Sequence, residues 1–349
     1  MTDELRLLAQ TCDALMRDQG DERAGIWDER LWGALEQAGI TLVSVPEAAG
    51  GSGGSLEQAA VVLDCAGEHA AGVPLAETAL LGGWLLAEAG LPVPPGPLVA
   101  VAEADGIGVA RAPGGWQVRG RLPRVGWGRV AQRIVVLTVV DGKEVAIALG
   151  PGDVTAEPGS NVAGEPRDDL TVDTVADHVA VVTVADGTAV ALRRRAALAR
   201  VLLIAGAMRR ALELTIAYAG ERQQFGRSLS NFQAIQQQIA ELAAETAAVR
   251  TAADAALGRC ADQGFADPGT WFAVACAKVQ AARGATVAAR IAHQVHGAMG
   301  FTEEHALRLT TTRLWAWRDE AGSPAHWAAE LGRHVLAGGP LWNTLTGDG

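Results

Sequence analysis

Residues 221–233 read ERQQFGRSLSNFQ. These thirteen positions hold two arginines, four side-chain amides, two phenylalanines and a glycine. Helix-patterned runs stand on either side. The chain has a formal net charge of −11, so general basicity does not explain a cation fixed here. A guanidinium, amide donors and an aromatic ring at the mouth of a helix suit an anionic ligand that also carries a flat ring. Arg222 offers a planar fork of donors for phosphate oxygens. Gly226 permits a tight turn, and Phe225 can lie flat against a ligand. Gln233 falls in the first turn of the next helix, where free backbone N–H groups and the helix dipole favour anions.

Working outward, one long helix is expected from about Arg195 to Ala219, closed by Gly220. A second starts near Ser230, with Ser230 and Gln233 as a capping box. It carries Ile235, Ile239, Leu242 and Val249 on one face to about Leu257. A third begins at Asp267, a capping residue, with Pro268 in the first turn. It ends at HGAMG, residues 296–300. Shorter helices follow to about Leu336. Three long antiparallel helices with short ones make a bundle.

Upstream the period changes to two. RIVVLTVVDGKEVAIAL, residues 133–149, reads as two strands joined by an Asp141–Gly142 hairpin turn. The stretch 98–184 is expected to be a small antiparallel β domain. The first ~93 residues are helical again. Leu5, Leu8, Cys12 and Leu15 recur at helical spacing. Leu31, Trp32 and Leu35 do the same, with Gly39 as a C-cap, and Ser55 with Gln58 forms a capping box. The run Pro74 to Gly90 reads as a buried helix. The fold class is therefore α+β: an N-terminal helical domain over 1–93, a middle β domain over 94–188 and a C-terminal helical bundle over 189–349.

These patterns also exclude functions. An acidic chain lacks the basic face that phosphate-backbone binding needs, so nucleic acid is not an expected partner. No apolar run reaches the roughly 18 residues of a membrane span, and the acidic, amphipathic N-terminus is unlike a signal peptide. Cys12, Cys65, Cys260 and Cys276 are scattered and read as small buried residues of a reducing compartment, so the expected location is cytoplasmic. PEAAGGSGGS, residues 46–55, reads as a flexible loop and lacks the Gly-Lys-Ser/Thr ending of a phosphate loop. GIGVAR, residues 106–111, is half a dinucleotide fingerprint with no helix after it. His293 and His296 have metal-like spacing but no third ligand nearby, and no metal is expected.

ERQQFGRSLSNFQAIQQQIAE, followed by QVHGAMGFTEE some 60 residues later, resembles the acyl-CoA dehydrogenase pattern ER-x-x-FG…FQ…HGG-x-GF. The helix–β–helix order and VPEAAGGSGGS near the N-terminus agree with it. The resemblance implies an FAD-dependent oxidoreductase that desaturates an acyl-CoA thioester between its α and β carbons. It implies that Arg222, Gln224, Phe225, Gln233, Gln294, Gly297, Ala298 and Ser323 contact FAD. In such proteins the clamp residues reach the adenosine half of a neighbouring subunit's flavin, so an oligomer, normally a tetramer, is implied. Electron-transferring flavoprotein is the implied electron acceptor.

The chain departs from the family where the chemistry is done. A carboxylate must take the α-proton while hydride leaves the β-carbon. One family position for it lies before a Gly-Thr/Ser pair, where WRDEAGS puts Ala321; the other, on the first long C-terminal helix, is Ala196. Glu320 is the neighbouring candidate, and ion pairing with Arg313 or Arg318 is its bland alternative. The family's Thr-Glu-Pro-Gly-x-Gly-Ser-Asp segment is replaced by AEADGIGVAR. Its Trp-x-Thr, which lies against the flavin ring, falls on Pro123 and Val125, with Trp127 offset. The chain resembles short actinobacterial subunits of heterotetrameric dehydrogenases that act on steroid side-chain thioesters. Three functions are expected in competition: a subunit completing the FAD site of a related partner, a self-sufficient enzyme using Glu320, and a non-catalytic scaffold.

Overall fold

The computed structural model describes residues 2–20, 27–102, 106–176, 179–302 and 305–338. They form two compact units, one drawn from 1–66 and 71–199, the other from 67–70 and 200–349.

In the first unit, α1 (Asp3–Gln19) and α2 (Glu29–Gln37) open the chain, capped by Thr2 and Asp28. Gly39 follows α2 at φ 71°, as its C-terminal position requires. The glycine-rich segment after it is not slack. A 3₁₀ turn, Glu47–Ala49, is tied back by Ser52 N–H to Leu42 O, Gly53 N–H to Val45 O and Gly54 N–H to Val43 O. The Ser55–Gln58 capping box forms in both directions at the start of α3 (Leu56–Glu68). The expected helix after Pro74 begins as π-helix, Ala76–Gly82, and continues as α4 (Gly83–Glu88).

Two four-stranded sheets follow. The strands are β1 (Leu98–Val101), β2 (Ile107–Ala112), β3 (Gly115–Gly126), β4 (Arg133–Val140), β5 (Lys143–Leu149), β6 (Val154–Glu157), β7 (Arg167–Ala176) and β8 (Ala180–Thr183). One sheet has the order β1-β4-β5-β8 and the other β2-β3-β7-β6. All pairs within these sheets are antiparallel except β1 with β4, which is parallel. The departure arises because β2 and β3, between them in sequence, pair in the other sheet. Asp141 and Gly142 turn at φ 51° and 75°, both positive, as a type I′ hairpin demands. The half fingerprint at 106–111 runs into a strand from Ile107 onward, with no helix after it. One apolar core serves both sheets, with Ile134, Val136 and Ile147 from one and Val118, Leu122, Leu170 and Val172 from the other.

The long helix α5 (Thr188–Glu221) begins seven residues before its expected start. The cause is tertiary: the Glu144 carboxylate accepts from Ala189 N–H at 2.9 Å and Gly187 N–H at 3.4 Å, a cap from β5 that local sequence does not reveal. Gly220 does not close it, since Arg222 N–H still reaches Tyr218 O.

In the second unit, β9 (Gln223–Gln224) and β10 (Arg227–Ser228) make a small hairpin before α6 (Gln233–Gln263). The Ser230 capping box is not formed. A 3₁₀ turn at Leu229–Asn231 holds Ser230 ahead of the helix, Phe232 is the N-cap, and the Ser230 hydroxyl bonds the Ser228 hydroxyl at 2.7 Å. The helix runs six residues past Leu257. Asp267 caps α7 (Pro268–His296) through Gly269 and Thr270 N–H, as expected. The short connection makes α6 and α7 antiparallel neighbours, laced by Arg283–Glu245 and Arg290–Glu241 pairs. A 3₁₀ turn (Gly297–Phe301), α8 (Leu307–Asp319) and α9 (Pro324–Ala337) complete the unit.

Candidate functional site

The motif at 221–233 folds as an exposed hairpin. Gln224 pairs with Arg227, and Phe225 and Gly226 form the turn at φ 52° and 79°. Positive φ at a bulky aromatic is strained, and the ring gains little burial within the chain, being 93% exposed. Phe225 meets only the edge of Phe232, centroids 6.3 Å apart, while the Arg227 guanidinium covers the Phe232 ring at 4.1 Å. Leu229 N–H donates to Arg222 O, closing the hairpin against the end of α5. The Arg222 side chain is exposed and has no ion-pair partner among the described residues, Glu221 included. Gln224 and Gln233 are exposed beside it.

The second motif lies next to the first. Tyr218, one turn before Arg222, stacks on His296 at 4.4 Å, joining the ends of α5 and α7. Gln294, Gly297 and Ala298 are exposed there. Gly297 adopts φ 59°, and a Cβ on it or on Gly226 would meet nothing within 4 Å, so both leave open space in front of the backbone. Beneath them the histidines are structural. His293 lies between Phe301 (4.1 Å) and Trp315 (5.7 Å), and its Nε2 faces the Thr311 hydroxyl at 2.9 Å. That hydroxyl donates to Leu307 O, so Nε2 carries the imidazole proton. His296 Nδ1 donates to Ala292 O at 2.7 Å. Burial pushes both imidazoles below their ordinary pKa, holding them neutral.

Glu320 and Ser323 stand apart from this cluster. They follow α8, whose end is held by Lys278 of α7, and Lys278 lies about 27 Å from His296 at 1.5 Å per helical residue. The Glu320 carboxylate is bound by Arg200 Nε at 3.0 Å, with side chains 19% and 11% exposed. Arg313 donates to Leu309 O and Arg318 pairs with Asp319. Sequence reasoning missed Arg200, which lies 120 positions away. Ala321 sits at φ 53°, its carbonyl accepting from the Trp327 indole at 2.8 Å. The Ser323 hydroxyl caps α9 through His326 N–H at 3.2 Å.

The β strands offer no matching wall. Val125 is buried and lacks a hydroxyl donor. Trp127 is buried in the β core, edge-on to Trp27 at 6.2 Å, at φ 60°. Behind Gly126 stand the carboxylate of Glu77 and the guanidinium of Arg167, both buried. An unpaired guanidinium, exposed amides, an exposed ring and open space at two glycines fit the adenosine diphosphate half of FAD. Residues 123–127 do not fit its ring system.

Residues 2–92 match the N-terminal domain of acyl-CoA dehydrogenases and residues 185–319 the C-terminal domain. The acyl-CoA dehydrogenase FadE27 of Mycobacterium tuberculosis is 32% identical over 314 residues, 80% of each chain. The acyl-CoA dehydrogenase IpdE2 of Mycolicibacterium smegmatis is 29% identical over 346 residues, covering 96% of this chain and 100% of that protein. The chain belongs to the acyl-CoA dehydrogenase family. Solved structures share its fold: the ChsE4–ChsE5 complex from Mycobacterium tuberculosis at TM-score 0.84 and 23% identity, over 97% of this chain and 99% of that one. Butyryl-CoA dehydrogenase from Megasphaera elsdenii has TM-score 0.82 at 19% identity, over 96% and 99%. No helix of the described residues is long and apolar enough to cross a membrane.

Proposed function

We propose that this chain is one half of a heteromeric, flavin-dependent acyl-CoA dehydrogenase and completes the FAD site of a related partner subunit. Arg222 neutralises the diphosphate, Gln224, Gln233 and Gln294 hydrogen-bond polar edges of the adenosine half, and Phe225 packs against it. Gly297 and Ala298 let the ligand approach backbone. The flavin, when bound, accepts hydride from the β-carbon of the acyl thioester. The α-proton goes to a carboxylate of the partner, because the carboxylate beside Ala321 is already committed to Arg200. That ion pair is the observation that carries the reading. The ChsE4–ChsE5 structure, a complex of two named components, supports the heteromeric form. The family matches at 2–92 and 185–319 support a three-part organisation divided near 93 and 188. A thioester substrate, a tetrameric assembly and electron-transferring flavoprotein as acceptor follow from the family. Ser323, fixed as the α9 cap, keeps one hydroxyl proton to offer a ligand.

Purification of the chain alone and with its related subunit tests this. Expected are a flavin-free lone chain and a complex holding one flavin per pair of subunits. A lone chain with stoichiometric flavin and full dehydrogenase activity would overturn it in favour of a self-sufficient enzyme using Glu320.

A further inference from the structure

The chain uses arginine almost exclusively for positive charge. Of its 29 basic residues only two are lysines, Lys143 and Lys278. Lys278 has 0% exposure. Its Nζ donates to Trp317 O and Arg318 O, both at 3.0 Å, two carbonyls of the last turn of α8 that the helix itself cannot satisfy. The charged groups facing it are Arg200 from α5 and Arg318, Asp319 and Glu320 at the end of α8.

The donor count favours the neutral amine. A neutral amine has two N–H groups, and two carbonyls receive them. An ammonium has three, and a third N–H left unmet in a fully buried position is costly. The carboxylate that attracts Lys278 most is Glu320, but its oxygen is bound to Arg200. Burial accordingly lowers the Lys278 amine from its ordinary 10.5 to about 7.

We propose that Lys278 is a proton-sensitive tether for the turn Asp319–Ser323. In its neutral form it holds α8 by two carbonyls and leaves Glu320 with Arg200. On gaining a proton it draws Glu320 away from Arg200 to satisfy the third N–H, and the turn shifts. The turn includes Ala321, the family's base position, and its setting is read out by the Trp327 indole bound to Ala321 O. The tether is a property of this chain alone and does not depend on the heteromeric reading.

Two lysines make the test direct. Lysine labelled at Cε and Nζ gives two signals, with exposed Lys143 as internal reference. The Lys278 signal is expected to titrate with a midpoint near pH 7, and the Trp327 indole resonance, assigned by Trp327→Phe, to move at the same midpoint. In Lys278→Met the indole should lose that midpoint. A Lys278 signal that does not titrate between pH 6 and 9 overturns the proposal. So does an indole that ignores its titration, or one that keeps the midpoint in Lys278→Met. Should that variant not fold, the two signals of the unmodified chain still decide.

Discussion

The hairpin at 221–233 and the turn at 319–323 belong to the same unit and are built in opposite ways. The hairpin spends strain to expose a ring and a guanidinium. The turn uses buried charges to hold a segment in which Ala321 stands beside a carboxylate bound to Arg200. Among the described residues the exposed ring meets only the edge of Phe232, whereas the turn is bound by Arg200 and Trp327 and the helix end before it by Lys278. An outward-facing half-site and an inward-facing, silent one are what a lending subunit would show.

The buried side of the contrast predicts the largest effect. Lys278 has a folded pKa of about 7 against an ordinary 10.5. Between these values the unfolded chain binds more protons than the folded one, so stability rises with pH through this window. Below about pH 7 the cost of the buried charge is present in full. The span is of order 5 kcal/mol at about 1.4 kcal/mol per pH unit. Urea unfolding at several pH values should show that slope in the unmodified chain and lose it in Lys278→Met. An unchanged slope would mean the turn is not held by a titrating group.

On the exposed side, Arg222→Gln should leave the lone chain's stability within about 0.5 kcal/mol, since the side chain is exposed and has no ion-pair partner among the described residues. In the assembled particle the same change should weaken flavin retention roughly 10- to 100-fold, the worth of a charged hydrogen bond. Equilibrium flavin titration of the complex measures it. Unaltered occupancy would remove the hairpin's functional meaning.

Glu320→Gln tests which side does chemistry. Loss of the Arg200 ion pair should cost the fold about 1–2 kcal/mol, because glutamine still accepts one hydrogen bond from a mostly buried guanidinium. Steady-state rates of the complex should change less than about tenfold. A collapse of rate with flavin retained would make this glutamate the base and reverse the reading.

Much of this was legible in the sequence, and the rest was hidden for physical reasons. Helical and strand periods mark the elements, Asp141–Gly142 its turn and Asp267 its cap, because those signals are local. The start of α5 was not legible, since Glu144 caps it from 44 positions upstream. The Ser230 cap failed because a 3₁₀ turn intervenes. In the candidate site, residues 222–233 and 294–298 stand out as motifs, yet nothing local says that Tyr218 on His296 brings them together. Arg200 and Lys278 surround Glu320 only through tertiary folding. The lysine's rarity among 29 basic residues was the one available signal.

The smallest effect is the most discriminating. A type I′ turn favours Asn-Gly, and this one has Phe-Gly with Phe225 at φ 52°. Phe225→Asn should therefore stabilise the lone chain, by about 1 kcal/mol, through relief of left-handed strain at the cost of no buried surface. In the complex it should weaken flavin retention by a few-fold, since an aromatic face is lost from the ligand. Opposite signs in the two measurements are the signature of a residue kept for a ligand at the expense of the fold. If Phe225 were only a packing residue of the hairpin, thermal melts of the lone chain would show a loss, and flavin retention would follow the same sign.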